Sequence, residues 1–166
     1  MAVETKADAL SKLLLSYKRY YNITQDESVQ PFSALAEFHS HNEQFFLVKA
    51  AKVADIDSNE YVFFALQDEL TVELLIKLDG LAWETGLSKV IPSSIHRNSD
   101  VSLIIIADKI SDEAKNAIKK IRHYKSYRFS FWGWSNYSLI AFDMSAKSLA
   151  FNRRGKDLKK FFINLL

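Results

Sequence analysis

Apolar positions along the chain fall into two periods, and the switches between them mark successive elements. Over 7–21, Leu10, Leu13, Leu14, Tyr17 and Tyr21 recur at helical spacing, with Lys12, Lys18 and Arg19 elsewhere on the barrel. Polar residues over 22–31 predict a loop. The period then drops to two, and strands are predicted at 33–40, 44–54 and 60–66. In the first of these, Ala34, Ala36 and Phe38 face one way while Glu37, His39 and His41 face the other. Asx residues over 55–59 predict a turn, because their side chains hydrogen-bond locally and tolerate turn geometry. The run over 61–66 is apolar on both faces, which predicts a central strand.

Thr71 is placed to cap a second helix reaching Gly86, with Leu74, Leu75, Leu78, Leu81 and Ala82 inward. After a polar loop over 92–100, the β-branched run 101–107 predicts a strand covered on both faces. Ser111 caps a third helix with Asp112 and Glu113 in its first turn. Lys119, Lys120, Arg122 and His123 sit in its last turn, a distribution that complements the helix dipole. Strands at 127–132 and 137–142, a short one at 148–151 and a closing helix from 156 complete the chain. The order α-β-β-β-α-β-α-β-β-α predicts an α/β fold: one mixed sheet flanked by helices.

The 166 residues suit one domain over 1–166, and 48% hydrophobic content supplies a core that needs no metal or disulfide staple. Without cysteine, and with acids where a secretion signal would carry bases, the expectation is a soluble protein of the reducing cytoplasm. Apolar runs fall short of the roughly 20 residues that span a bilayer, so no membrane partner is expected. The net charge of +2 conceals an asymmetry. Residues 1–107 carry 9 Lys/Arg against 15 Asp/Glu, whereas 108–166 carry 13 against 5. Such a chain suits a polyanion, or a homo-oligomer that pairs acidic with basic surfaces; alternatively the two halves interleave and the charges mix.

The four glycines are scattered, which excludes loops that cradle phosphates through closely spaced glycines. No Gly-x-Ser-x-Gly elbow and no cysteine nucleophile is present. Glu37, His39 and His41 share a strand face and are chemically suited to zinc or non-haem iron. Same-face neighbours stand about 6.5–7 Å apart, however, so three in line converge poorly, and a solvated polar face with no metal is expected. Asp108 and Asp143 each end an apolar strand. They read either as paired acids at a carboxyl edge, able to hold Mg²⁺, or as ordinary loop and hairpin residues.

The densest chemistry lies over 122–137, Arg-His-Tyr-Lys-Ser-Tyr-Arg-Phe-Ser-Phe-Trp-Gly-Trp-Ser-Asn-Tyr. As a strand, it would turn Tyr127, Phe129 and Phe131 to the core. Trp132, Trp134 and the turn Arg153-Arg-Gly-Lys156 would then form a surface. Arg122, Lys125, Arg128, Arg153, Arg154 and Lys156 could neutralise phosphates while Trp132 or Trp134 stacks on bases. The same residues also read as core packing plus helix-end charge.

The element order resembles the restriction-endonuclease-like fold, but that family's strand acid followed by acid-x-Lys is absent: the third strand reads Glu60-Tyr-Val-Phe-Phe64. Ala36-Glu-Phe-His-Ser40, Glu60-Tyr-Val-Phe-Phe64, Lys125-Ser-Tyr-Arg-Phe-Ser-Phe-Trp-Gly-Trp134 and Asn152-Arg-Arg-Gly-Lys-Asp-Leu-Lys-Lys160 resemble an uncharacterised family of small bacterial proteins across nearly the whole chain. The expectation is a non-catalytic binding module without a cofactor, its first candidate partner nucleic acid. The alternatives are a metal-dependent hydrolase with a degenerate site using Asp108, Asp143 or Glu37, and a self-associating protein.

Overall fold

The first helix, α1 (Lys6–Tyr17), starts at a reciprocal cap: Thr5 accepts from the Asp8 amide while the Asp8 carboxylate accepts from the Thr5 amide. It stops short of residue 21, where the Tyr20 amide closes a tighter turn on the Tyr17 carbonyl. The computed structural model describes residues 5–40, 57–163 and 165. The strand expected at 44–54 lies outside them. The segment expected as loop holds a short strand, β1 (Asn22–Thr24), and a 3-10 turn (Glu27–Val29) before β2 (Ala34–His39). β3 (Asp57–Leu70) takes in Ser58 and Asn59, which composition assigns to a turn.

Thr71 caps α2 (Val72–Ser88) by accepting from the Leu74 amide at 3.3 Å. Ser111 caps α3 (Asp112–Lys120) by accepting from Ala114 at 3.1 Å. Between them runs β4 (His96–Ile110), which starts inside the segment expected as loop. β5 (Tyr124–Ser126), β6 (Trp134–Asp143), β7 (Ser148–Phe151) and a closing 3-10 helix (Gly155–Phe162) follow. Among the described residues, no helix is long and apolar enough to cross a membrane.

The strands build one mixed sheet in the order β1-β2-β3-β4-β6-β5, in which β3, β4 and β6 run parallel and the other pairings are antiparallel. β7 pairs with the same edge of β6 as β5, further along the strand. On one face Phe63, Leu103, Ile105 and Leu139 pack against α2 and α3. On the other, Phe64, Ile104, Ile106, Ile140 and Phe142 pack against α1 and the closing helix. Residues 101–107 are therefore central and covered on both sides, as their unbroken apolar run requires. Each fully buried large aliphatic contributes about 1.5–3 kcal/mol of transfer free energy, so β4 anchors both halves of the core. The expected class, a mixed α/β sheet flanked by helices, is the one adopted.

One expected strand is overturned. Residues 127–132 form a turn instead, with left-handed φ at Arg128 (47°), Phe129 (54°), Ser130 (71°) and Gly133 (84°). The turn closes on itself: Trp132 N donates to Tyr127 O at 3.1 Å, Phe131 N to Arg128 O at 3.0 Å, and Tyr127 N to Gly133 O at 2.9 Å. The alternation that suggested a strand is thus broken, and Phe129 and Phe131, expected in the core, are 95% and 81% exposed.

Candidate functional site

Because β5 covers the start of β6 and β7 its end, the β6 edge has no strand partner among the described residues around Tyr137–Leu139. The buried Asn152 side chain fills that gap as a strand would. Its Oδ1 accepts from the amides of Leu139 (3.0 Å) and Gly155 (2.7 Å), and its Nδ2 donates to the Ile121 carbonyl at 3.1 Å. Gly155 is required by close approach, since a Cβ there would stand 2.0 Å from the Leu139 carbonyl oxygen. This bracing holds Arg153 and Arg154 on one side of the gap and Arg122 and His123 on the other. Between them lies a pocket of about 330 Å³, floored by Asn136 and Tyr137.

Behind the pocket, His123 Nε2 donates to the buried Asp79 carboxylate of α2 at 2.8 Å. The ring lies flat on Trp83 (5.3 Å, 16°) and edge-on to Tyr137 (4.8 Å). The other Asp79 oxygen and the Tyr137 hydroxyl are buried with no partner in hydrogen-bonding geometry among the described residues. Burial first, and the Asp79 charge second, raise the Tyr137 hydroxyl well above its ordinary 10.0. Arg122, Arg153 and Arg154 are exposed and form no ion pair among the described residues. A pocket lined by three arginines suits an oxyanion, above all phosphate.

The remaining basic candidates sit elsewhere. Lys125 lies over the Tyr127 ring at 5.6 Å, and Arg128 stacks over Trp132 at 3.8 Å. Both belong to the β5–β6 hairpin, whose open end forms part of the pocket and whose tip is the 127–133 turn. Trp132 and Trp134 are half-buried, whereas Tyr124 at the pocket and Phe129 and Phe131 at the tip are exposed rings of this hairpin. Lys156 is exposed on the closing helix.

The candidate acids do not converge. Asp143 is buried and takes Lys115 at 2.9 Å, together with the Ile110 and Ala146 amides and the Ser145 hydroxyl. Asp108 instead shares Lys6 with Asp68, at 2.5 and 2.6 Å. Those hydrogen bonds, to Asp108 first, raise Lys6, and its bond lowers Asp68. Glu37 pairs with Lys89 at 3.3 Å, whereas His39 Nδ1 meets Asn59 Oδ1 at 2.8 Å. His41 lies outside the described residues, among which no group of three or more His, Cys, Asp and Glu could hold an ion.

With this geometry in view, the comparison with known families is decisive on one point. The chain belongs to the family described as domain of unknown function DUF8052. Its model matches residues 5–164, so the family's defining region contains both the sheet and the arginine pocket. No curated protein and no solved structure matches the chain. The likeness to the restriction-endonuclease-like fold therefore rests on element order alone. Within the family's region, sequence reasoning missed Asp79, Tyr137 and Asn152. Asp79 had a signal, a carboxylate on the buried stripe of Leu75, Leu78 and Ala82.

Proposed function

We propose that this domain is a binding module for single-stranded nucleic acid. The supporting observation is the pocket that gathers Arg122, Arg153 and Arg154 at one end of the β5–β6 hairpin, whose tip exposes Phe129 and Phe131. Tyr124 to Tyr127 spans about 10 Å at roughly 3.3 Å per residue, so a strand could reach from phosphate clamp to stacking ring within a few nucleotides. Sequence-tolerant binding of this kind needs only cations for the backbone and aromatic faces for bases. The cysteine-free composition suits the reducing cytoplasm, where such ligands abound. The hydrolase alternative is less favoured, because Asp108, Asp143 and Glu37 each already hold a lysine of the chain itself.

Fluorescence anisotropy with labelled single-stranded DNA and RNA tests the reading. Affinity should fall steeply between about 50 and 200 mM salt, and replacing Arg153 and Arg154 by Gln should lower the slope of log K against log salt by about 1.4. Salt-insensitive binding, or none at the lower salt, would overturn it.

A further inference from the structure

A second cleft, of about 260 Å³, opens on the α1 face of the sheet near the amino ends of the parallel strands. Its floor continues the apolar ladder of Phe64, Ile104 and Ile140. There Ser102 and Ser138 replace large side chains, and Glu60 and Asp100 stand opposite each other as in-register partners on β3 and β4. Tyr17, Tyr21 and Phe161 enclose it, with Tyr17 packed 4.9 Å from each of the other rings. Arg154, which this cleft shares with the arginine pocket, and Lys160 stand on the opposing wall beside Asp157.

The two floor carboxylates are adjacent like charges, and neither forms an ion pair with any Lys, Arg or His among the described residues. Among the described residues Glu60 accepts from the Tyr21 hydroxyl, while Asp100 accepts from Asn98 (3.2 Å) and Asn136 (2.9 Å). Tyr17 lines this cleft and is 1% exposed, and its buried hydroxyl has no hydrogen-bond partner among the described residues. An unsatisfied hydroxyl at this depth calls for an explanation. Two carboxylates with neutral hydroxyls are too few hard ligands for a protein-held divalent cation. A primary ammonium, in contrast, has three donors, enough to serve both Glu60 and Asp100 and a water. The surrounding rings favour a cation as well. Arg154 and Lys160 would repel a second ammonium and attract an anionic tail.

We propose that this cleft binds a small amino-acid-type zwitterion, its ammonium held between Glu60 and Asp100 against Tyr17 and its carboxylate facing Arg154 and Lys160. The inference does not rest on nucleic-acid binding, although the two sites share Arg154.

Two-dimensional NMR titration with three probes tests it: 4-aminobutyrate, n-butylamine, which lacks the anion, and butyrate, which lacks the cation. The aminobutyrate should shift the Ser102 and Ser138 amides with a Kd of about 1 mM or tighter, butylamine about tenfold more weakly, and butyrate should leave them unmoved. Glu60→Gln, which keeps an acceptor for Tyr21, should weaken both amines by about tenfold or more. The exposed Lys160→Glu should weaken the aminobutyrate alone. Shifts by butyrate equal to those of the aminobutyrate, no shift at these amides, or undiminished binding by a well-dispersed Glu60→Gln protein would each overturn the proposal.

Discussion

His123 donates its Nε2 proton to Asp79 at 2.8 Å and lies flat on Trp83, so a residue just after α3 is fixed by two side chains of α2. The bond ties the pocket's imidazole to the helix that covers the sheet. Asp79→Ala removes the acceptor of a half-buried N–H, which should cost about 0.5–1.5 kcal/mol of stability. The urea midpoint should fall with an unchanged denaturant slope. An unaltered midpoint would mean the pair is energetically idle.

The parts of this fold legible in the sequence are those decided locally. Thr71 and Ser111 mark helix starts because a hydroxyl just before a helix can take an amide the helix cannot satisfy. Residues 101–107 announce a strand covered on both faces because every position is small or apolar. The turn at 127–133 was not legible. Tyr127, Phe129 and Phe131 alternate with polar residues as a strand would, and only Gly133 hints at left-handed backbone. The pocket was less legible still. It exists because β5 and β7 share one edge of β6 and leave a gap for Asn152, a pairing fixed by long-range register. The basic residues could be named beforehand, and Arg122, Arg128, Arg153 and Arg154 are expected on one surface; that Arg128 sits apart from the other three, at the hairpin tip, was not legible.

Phe129 and Phe131 offer a separation of stability from binding. Both are almost fully exposed, so Phe129→Ala and Phe131→Ala should change stability by no more than about 0.5 kcal/mol. If bases stack on them, each should weaken single-strand binding by about 1–3 kcal/mol. Thermal melts and anisotropy on the same preparations check both halves. Unchanged affinity in both variants would remove these rings from the interface.

Gly133 is predicted to be intolerant of a side chain. Its φ of 84° suits glycine, and a Cβ would stand 2.3 Å from the Arg97 carbonyl oxygen and 2.6 Å from His96 Nδ1. That same His96 nitrogen meets the Trp132 carbonyl at 2.7 Å, so the turn and β4 would be forced apart together. Gly133→Ala should destabilise the protein by more than about 1 kcal/mol, beyond the usual benefit of reducing unfolded-chain freedom. Denaturant titration beside Gly80→Ala, where nothing lies within 4 Å of the added Cβ, provides the control.

Asp143 should give acid stability a recognisable signature. Its side chain is only 2% exposed, and burial alone would raise its pKa. Hydrogen bonds from the Ala146 amide, then Lys115, Ser145 and the Ile110 amide, outweigh burial and hold it at about 2, against an ordinary 3.8. As pH falls, the unfolded chain takes up this proton before the folded one does. The stabilisation is therefore complete above about pH 4 and disappears as pH falls through about 2. Asp143→Asn removes the charge at every pH and leaves Lys115 without its partner, which should cost about 1–3 kcal/mol near neutrality. Urea midpoints of the two proteins should stand apart near neutral pH and converge as acid protonates the wild-type carboxylate. A gap that persisted undiminished below the folded pKa would show that shape, and not charge, makes Asp143 matter.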